Sequence, residues 1–316
     1  MRNRIVVPIL ILVAAIVAGV FVGNTFFGPK PEETATPNPS PSITRQGETG
    51  VIQVLATTMP WGSIVEEIGG DWVEVTVLID DLNKDPHSYE ATARDQLAIQ
   101  DADLVVYNGG GYDNFVEELV TNTETEEPKI LVSAISLESG EVFEGNEHVW
   151  FDLAVVGTTA ETIAKTLSEM RPEAFAEINK NFDEFMIELD NLEIRSEALR
   201  EKALGLGVIS SEPVGDLLLE DAGFTNMTPS GLSEAVEEER EVSPADLKTA
   251  SDLLAGKVAI LLVTNAQTAD ATAAALSKTA AEAGLPEISL YESLPEGLSY
   301  LDYMNSVIDQ LQEAIY

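Results

Sequence analysis

Cysteine is absent from all 316 residues. Its absence excludes disulfides, thiolate metal sites and a cysteine nucleophile, and it removes the residue that carries a lipid behind an export signal. Basic residues are scarce: 17 Lys and Arg stand against 55 Asp and Glu, for a net charge of -38. Phosphate backbones need a basic footprint, so nucleic acid is excluded as a partner. The acidic charge runs along the whole chain and reads as solubility, with a cation-attracting field as a secondary effect. There is no HExxH sequence of the metallohydrolase type. Gly109-Gly110-Gly111 lacks both a following Lys-Ser/Thr and GxGxxG spacing, so it reads as a tight turn and not as a phosphate loop.

Histidine is nearly absent as well. There are two, and neither has bland surroundings: Asp85-Pro86-His87-Ser88-Tyr89-Glu90 and Asn146-Glu147-His148-Val149-Trp150-Phe151-Asp152. Both imidazoles sit in turn-like segments flanked by carboxylates. Imidazole is a common ligand for zinc, manganese and iron, and neighbouring carboxylates can ligate or hold the ring tautomer. The pattern points to a metal site.

The first residues form a membrane-targeting element. Arg2 and Arg4 precede an uncharged apolar run from Ile5 to Val22, about 18 residues and just long enough to span a bilayer as a helix. Gly23 to Gly28 offers no clean small-x-small cleavage site, which favours an uncleaved anchor over a cleaved signal. Arginines before the apolar run place the bulk of the chain outside the cytoplasm, at the cell surface, or secreted if the segment is removed. Residues 29–50, with Pro-Asn-Pro-Ser-Pro-Ser at 37–42, have almost nothing to bury and read as an extended linker.

From Val51 the pattern alternates. Strands are expected at Val51–Thr57, Trp72–Ile79, Leu104–Tyr107 and Lys129–Val132, with helices at Trp61–Ile68, Ala93–Gln100 and from about Tyr112. Two helical patterns follow, Asp152 to Met170 and Pro172 to Leu204. In the second, Phe175, Ile178, Phe182, Phe185, Leu189 and Leu192 recur at helical spacing, as in a long rigid connector. Alternation then resumes. Strands are expected at Gly207–Ser210, Phe224–Met227, Lys257–Val263 and Glu287–Tyr291, and helices at Pro213–Ala222, from Ser243-Pro244, at Ala269–Ala283 and at Ser299–Tyr316. The chain therefore divides into a membrane anchor or signal (1–28), a linker (29–50), an N-terminal α/β lobe (51–152), connecting helices (153–204) and a C-terminal α/β lobe (205–316). Each lobe is expected to hold a parallel sheet, and the cleft between lobes lies at the carboxyl ends of the strands.

Four residues share that location: His87, His148, Glu212 after Val208-Ile209-Ser210-Ser211, and Glu292 after Ile288-Ser289-Leu290-Tyr291. Asn265, at the end of another strand, competes with Glu292 for the fourth place. Glu90 and Asp152 read as supporting groups or helix caps, and Glu237-Glu238-Glu239 as a solvated face. Residues 51–316 resemble the zinc- and manganese-type substrate-binding proteins of ABC transporters (cluster A-I, or cluster 9). The two histidine segments carry the resemblance. Weaker support comes from Ser211-Glu212-Pro213-Val214, Ser243-Pro244-Ala245-Asp246, Thr264-Asn265-Ala266-Gln267-Thr268 and Tyr291-Glu292-Ser293-Leu294-Pro295. The resemblance implies two α/β lobes on a long backbone helix and metal ligation by His87, His148, Glu212 and Glu292.

It also implies a monomeric, non-enzymatic protein that captures Mn2+, Zn2+ or Fe2+ as a transported ligand outside the cell. Its partners would be an ABC permease and that permease's ATPase, with the membrane reached through the N-terminal segment. A surface adhesin on the same scaffold and a metallohydrolase are the competing readings. Three features depart from the family. The lipid-bearing cysteine is missing, Thr121 to Pro128 is acidic without histidine, and the third ligand is Glu where His is frequent. The oxygen-rich set suits manganese or ferrous iron at least as well as zinc.

Overall fold

The computed structural model describes residues 50–82, 84, 89–123, 128–136, 145–237, 240–268 and 271–315. The expected membrane segment, nearly all of the linker, Asp85 to Ser88 including His87, part of the acidic 121–128 stretch and Glu238-Glu239 lie outside them.

The first half builds β1 (Ile52–Thr58), α1 (Met59–Gly69), β2 (Val73–Ile79), α2 (Ala93–Asp101), β3 (Leu104–Gly109), α3 (Phe115–Thr121) and β4 (Ile130–Ile135). The strands pair in parallel in the order β2-β1-β3-β4. Every residue of β3 is buried, and β1 nearly so. Continuous burial is what a parallel sheet covered on both faces requires. The helix expected from Tyr112 begins only at Phe115, because residues 109–113 form a turn. Gly109, Gly110 and Gly111 all have positive φ (76°, 69° and 117°), a conformation that side chains resist. The Asp113 carboxylate closes the turn, accepting from Asn108 N, Gly109 N and Thr57 Oγ1, each at 2.7 Å. Burial pushes the Asp113 pKa up against the pull of these bonds.

A 3-10 turn (Val149–Phe151) leads into α4 (Leu153–Met170), and a second one (Pro172–Ala174) into α5 (Phe175–Ala203). Asp152 caps α4, accepting from Ala154 N at 3.0 Å and Val155 N at 3.1 Å. Glu90 does not cap a helix. It is exposed, and α2 starts on Thr92, whose hydroxyl and backbone pair reciprocally with Asp95. With 29 residues, α5 is about 44 Å long. Its buried stripe is Ile178, Phe185, Leu189, Leu192, Ser196, Leu199 and Ala203. Phe175, expected on that stripe, is 58% exposed, beyond the end of the packed face that begins at Ile178.

The second half builds β5 (Gly207–Ser210), α6 (Asp216–Asp221), β6 (Thr225–Asn226), α7 (Ser230–Glu237), α8 (Pro244–Ala255), β7 (Ala259–Asn265), α9 (Ala271–Ala283), β8 (Glu287–Leu290) and α10 (Tyr300–Ala314). Its parallel order, β6-β5-β7-β8, repeats that of the first half. The helix expected from Pro213 starts three residues later. Ser211 still donates to Val263 O, and a residue before proline is disfavoured in helical conformation, so Glu212 stays in a bend ahead of the helix. Ser243 caps α8 as its spacing predicts, accepting from Asp246 N at 3.1 Å. β7 begins at Ala259 and not at Lys257, because Lys257 has φ 56° and belongs to the turn that ends α8. The spacing did not reveal α7.

One contiguous hydrophobic core runs from β1 and α1 through α4 and α5 to β5, β7 and α10. Trp61, Trp150, Phe151, Phe185 and Tyr300 are fully buried in it, each contributing about 1.5–3 kcal/mol by burial. Tyr300 joins the two halves: its hydroxyl donates to Trp150 O at 2.8 Å, and its backbone N–H donates to Ser63 Oγ at 2.9 Å.

Candidate metal centre

In each sheet the strand order reverses between the first strand and the third, β1/β3 and β5/β7. Crevices form at such switch points, beyond the carboxyl ends of the strands. The described candidate residues lie there. His148 opens the 3-10 turn before α4, Glu212 follows β5, Asn265 ends β7 and Glu292 follows β8. All four are buried. His87 lies outside the described residues, so its position relative to them is not described.

The first half holds His148 through a chain of amides. Trp61 Nε1 donates to Asn108 Oδ1 at 3.1 Å, and Asn108 Nδ2 donates to Glu147 O at 2.9 Å. That fixes the backbone entering His148. Asn146 Oδ1 lies 2.9 Å from His148 N and 2.8 Å from His148 Nδ1. The ring packs edge-on against Trp150, with centroids 5.2 Å apart. Its Nε2 lies 4.0 Å from Glu292 Oε2, so the histidine from one half meets a carboxylate from the other. Tyr112, delivered by the glycine turn, donates from its hydroxyl to the same Glu292 oxygen at 3.1 Å.

In the second half a single amide spans two carboxylates. Asn265 Nδ2 donates to Glu212 Oε2 and Glu292 Oε1, both at 2.7 Å, and lies 3.0 Å from Thr268 Oγ1. Its Oδ1 accepts from Gln267 N at 2.9 Å, which fixes the amide orientation. Asn265 therefore presents hydrogens to both carboxylates and holds them together. Gln267 ties the arrangement together: Oε1 accepts from Ser293 N at 2.9 Å and Nε2 donates to Leu82 O at 3.1 Å, across to the first half.

The structure thus brings His148 to Glu292, and Glu292 and Glu212 to Asn265. Among the described residues, no three His, Asp or Glu side chains converge as a complete cation site, with the Asn265 amide standing between the two glutamates. Sequence reasoning missed Tyr112, Asn146 and Thr268. Asn146 had a local signal, a short amide two residues before a histidine. Tyr112 had none, since its partner lies 180 residues away. A buried carboxylate 4.0 Å from an imidazole, with a second one across the Asn265 amide, offers nitrogen and carboxylate oxygen, donors that suit first-row divalent metals.

Comparison with known proteins agrees. Residues 54–314 match the family described as zinc-uptake complex component A, periplasmic (ZnuA). The manganese ABC transporter substrate-binding lipoprotein PsaA of Streptococcus mitis is 27% identical over 284 residues, 84% of this chain and 89% of that protein. The manganese-binding lipoprotein MntA of Halalkalibacterium halodurans is 27% identical over 145 residues, 45% of this chain and 47% of that protein. A crystal structure of ZnuA superposes with a TM-score of 0.70 at 22% identity, covering 84% of this chain and all of that one, so the two share a fold. With 83% or so of its length inside that family's pattern and the paired sheets, long helix and buried cleft in place, the chain belongs to the zinc-uptake complex component A family.

Proposed function

We propose that this protein is the extracytoplasmic solute-binding component of an ABC uptake system. It captures a divalent transition metal, manganese, zinc or iron, and delivers it to a membrane permease driven by an ATPase. The observation that carries this reading is the meeting of His148 and Glu292 from opposite halves, with Glu212 held beside them through Asn265. Membership of the family supports the class of function. The names of relatives that bind manganese or zinc support the class of cargo.

We assign the ligands to His87, His148, Glu212 and Glu292. Four protein ligands close a site, which suits capture and release better than catalysis with an open position. The protein acts as a monomer without an enzymatic role. Relatives carry the description lipoprotein, whereas this chain has no cysteine. The apolar Ile5 to Val22 run takes over attachment in this proposal, and residues 29–50 serve as the tether.

The test is calorimetric titration of chelator-stripped protein with Mn2+ and with Zn2+, beside a variant carrying His87→Ala and His148→Ala. The expected result is tight stoichiometric binding by the parent and loss of most affinity in the variant, with an unchanged circular dichroism spectrum. Tight stoichiometric binding by the double variant would contradict the ligand assignment.

A further inference from the structure

Asn146 makes three polar contacts with one amide. Its Nδ2 donates to Pro213 O at 2.6 Å, in the loop that carries Glu212. Its Oδ1 accepts from His148 N at 2.9 Å and faces His148 Nδ1 at 2.8 Å. The orientation of this amide is determined twice. The Pro213 carbonyl can only accept, so it requires the NH2 side, and the His148 backbone N–H can only donate, so it requires the oxygen side.

An amide oxygen cannot donate. The atom that faces it at 2.8 Å, His148 Nδ1, must therefore carry the ring hydrogen. The neutral ring then bears its lone pair on Nε2, the nitrogen that points toward Glu292 Oε2 across the cleft. An unconstrained neutral imidazole favours the opposite tautomer, with hydrogen on Nε2. Asn146 thus works against the intrinsic preference of the ring and in favour of ligation.

We propose that Asn146 is a positioning residue that sets the His148 tautomer for metal capture, with the Pro213 carbonyl from the other half holding the amide in the required orientation. This rests on the metal-capture reading. Partners of this kind contribute about 10- to 100-fold to metal affinity elsewhere.

The experiment uses the full chain, stripped of metal. Long-range 1H–15N correlation of the imidazoles, under conditions where they are neutral, reports which nitrogen holds hydrogen, with the His148 signals identified by their loss in His148→Ala. The wild type should show hydrogen on Nδ1. Asn146→Ala should move the ring toward hydrogen on Nε2 and weaken Mn2+ and Zn2+ binding by about 10- to 100-fold. Asn146→Asp keeps an acceptor for both His148 N–H groups. It loses the donor to Pro213 O, so the ring should keep the Nδ1 hydrogen while the hold from the other half is removed.

Hydrogen on Nε2 in the wild type, or wild-type affinity in Asn146→Ala, would each overturn the proposal. Wild-type affinity in His148→Ala would overturn the metal reading instead, and the metal-free spectrum would still decide the tautomer.

Discussion

At the scale of single residues, the site depends on side chains whose partners are far away in sequence. The sequence singled out His148, Glu212 and Glu292 because they are unusual where they stand, a rare histidine in a carboxylate-flanked turn and two acids closely following strands. Their supports were not. Tyr112 reaches Glu292 and Asn265 reaches Glu212 over separations of 180 and 53 residues, and no local spacing encodes such pairs. Asp216 shows how burial changes an ordinary acid. Burial, with Glu220 adding like charge, raises its pKa to about 6 against hydrogen bonds from Ser210 and Asn226 that lower it. That lies above the unfolded value of about 3.9, so the native state holds more protons between about pH 4 and pH 6, and stability falls as pH rises through that window. Asp216→Asn removes this dependence. Urea unfolding at several pH values should show the wild type losing stability relative to the variant from about pH 4 to pH 6; a constant difference would contradict the shift.

At the scale of elements, most of the fold was readable from periodicity and caps. Leu153 to Met170, the Ser243-Pro244 helix start and the buried Leu104 run appear where the pattern placed them. The failures have local causes. α3 and α6 begin late because the residues before them are held in turns at the cleft, the first by Asp113 and the second by the Ser211-Glu212-Pro213 bend. α10 carries a contact that joins the halves, the Tyr300 hydroxyl on Trp150 O. Tyr300→Phe leaves that buried carbonyl without this donor and should lower stability by about 1–3 kcal/mol. Thermal unfolding of the variant checks it, and an unchanged midpoint would show that the bond contributes nothing.

At the scale of the whole molecule, two sheets of the same strand order share one core along α5. The duplication was legible as repeated alternation. A cleft at the carboxyl ends of the strands was expected from that alternation; the strand order that reverses there was not. A net charge of -38 also attracts cations without any site, so the two effects must be separated. A ligand that binds only the folded state adds about 2.7 kcal/mol at roughly a hundredfold excess over Kd. The melting temperature should therefore rise with Mn2+ or Zn2+ and respond little to Mg2+, which retains its waters. An equal response to Mg2+ would assign the effect to surface charge.

The central claim is that the cleft captures a transition metal, with His148 as a ligand. Elemental analysis of the protein purified from its own host, beside His148→Ala prepared identically, tests it most directly. The account predicts a single equivalent of manganese, zinc or iron per wild-type chain and a marked deficit in the variant. No retained transition metal in the wild type, or the same load in both proteins, would contradict it.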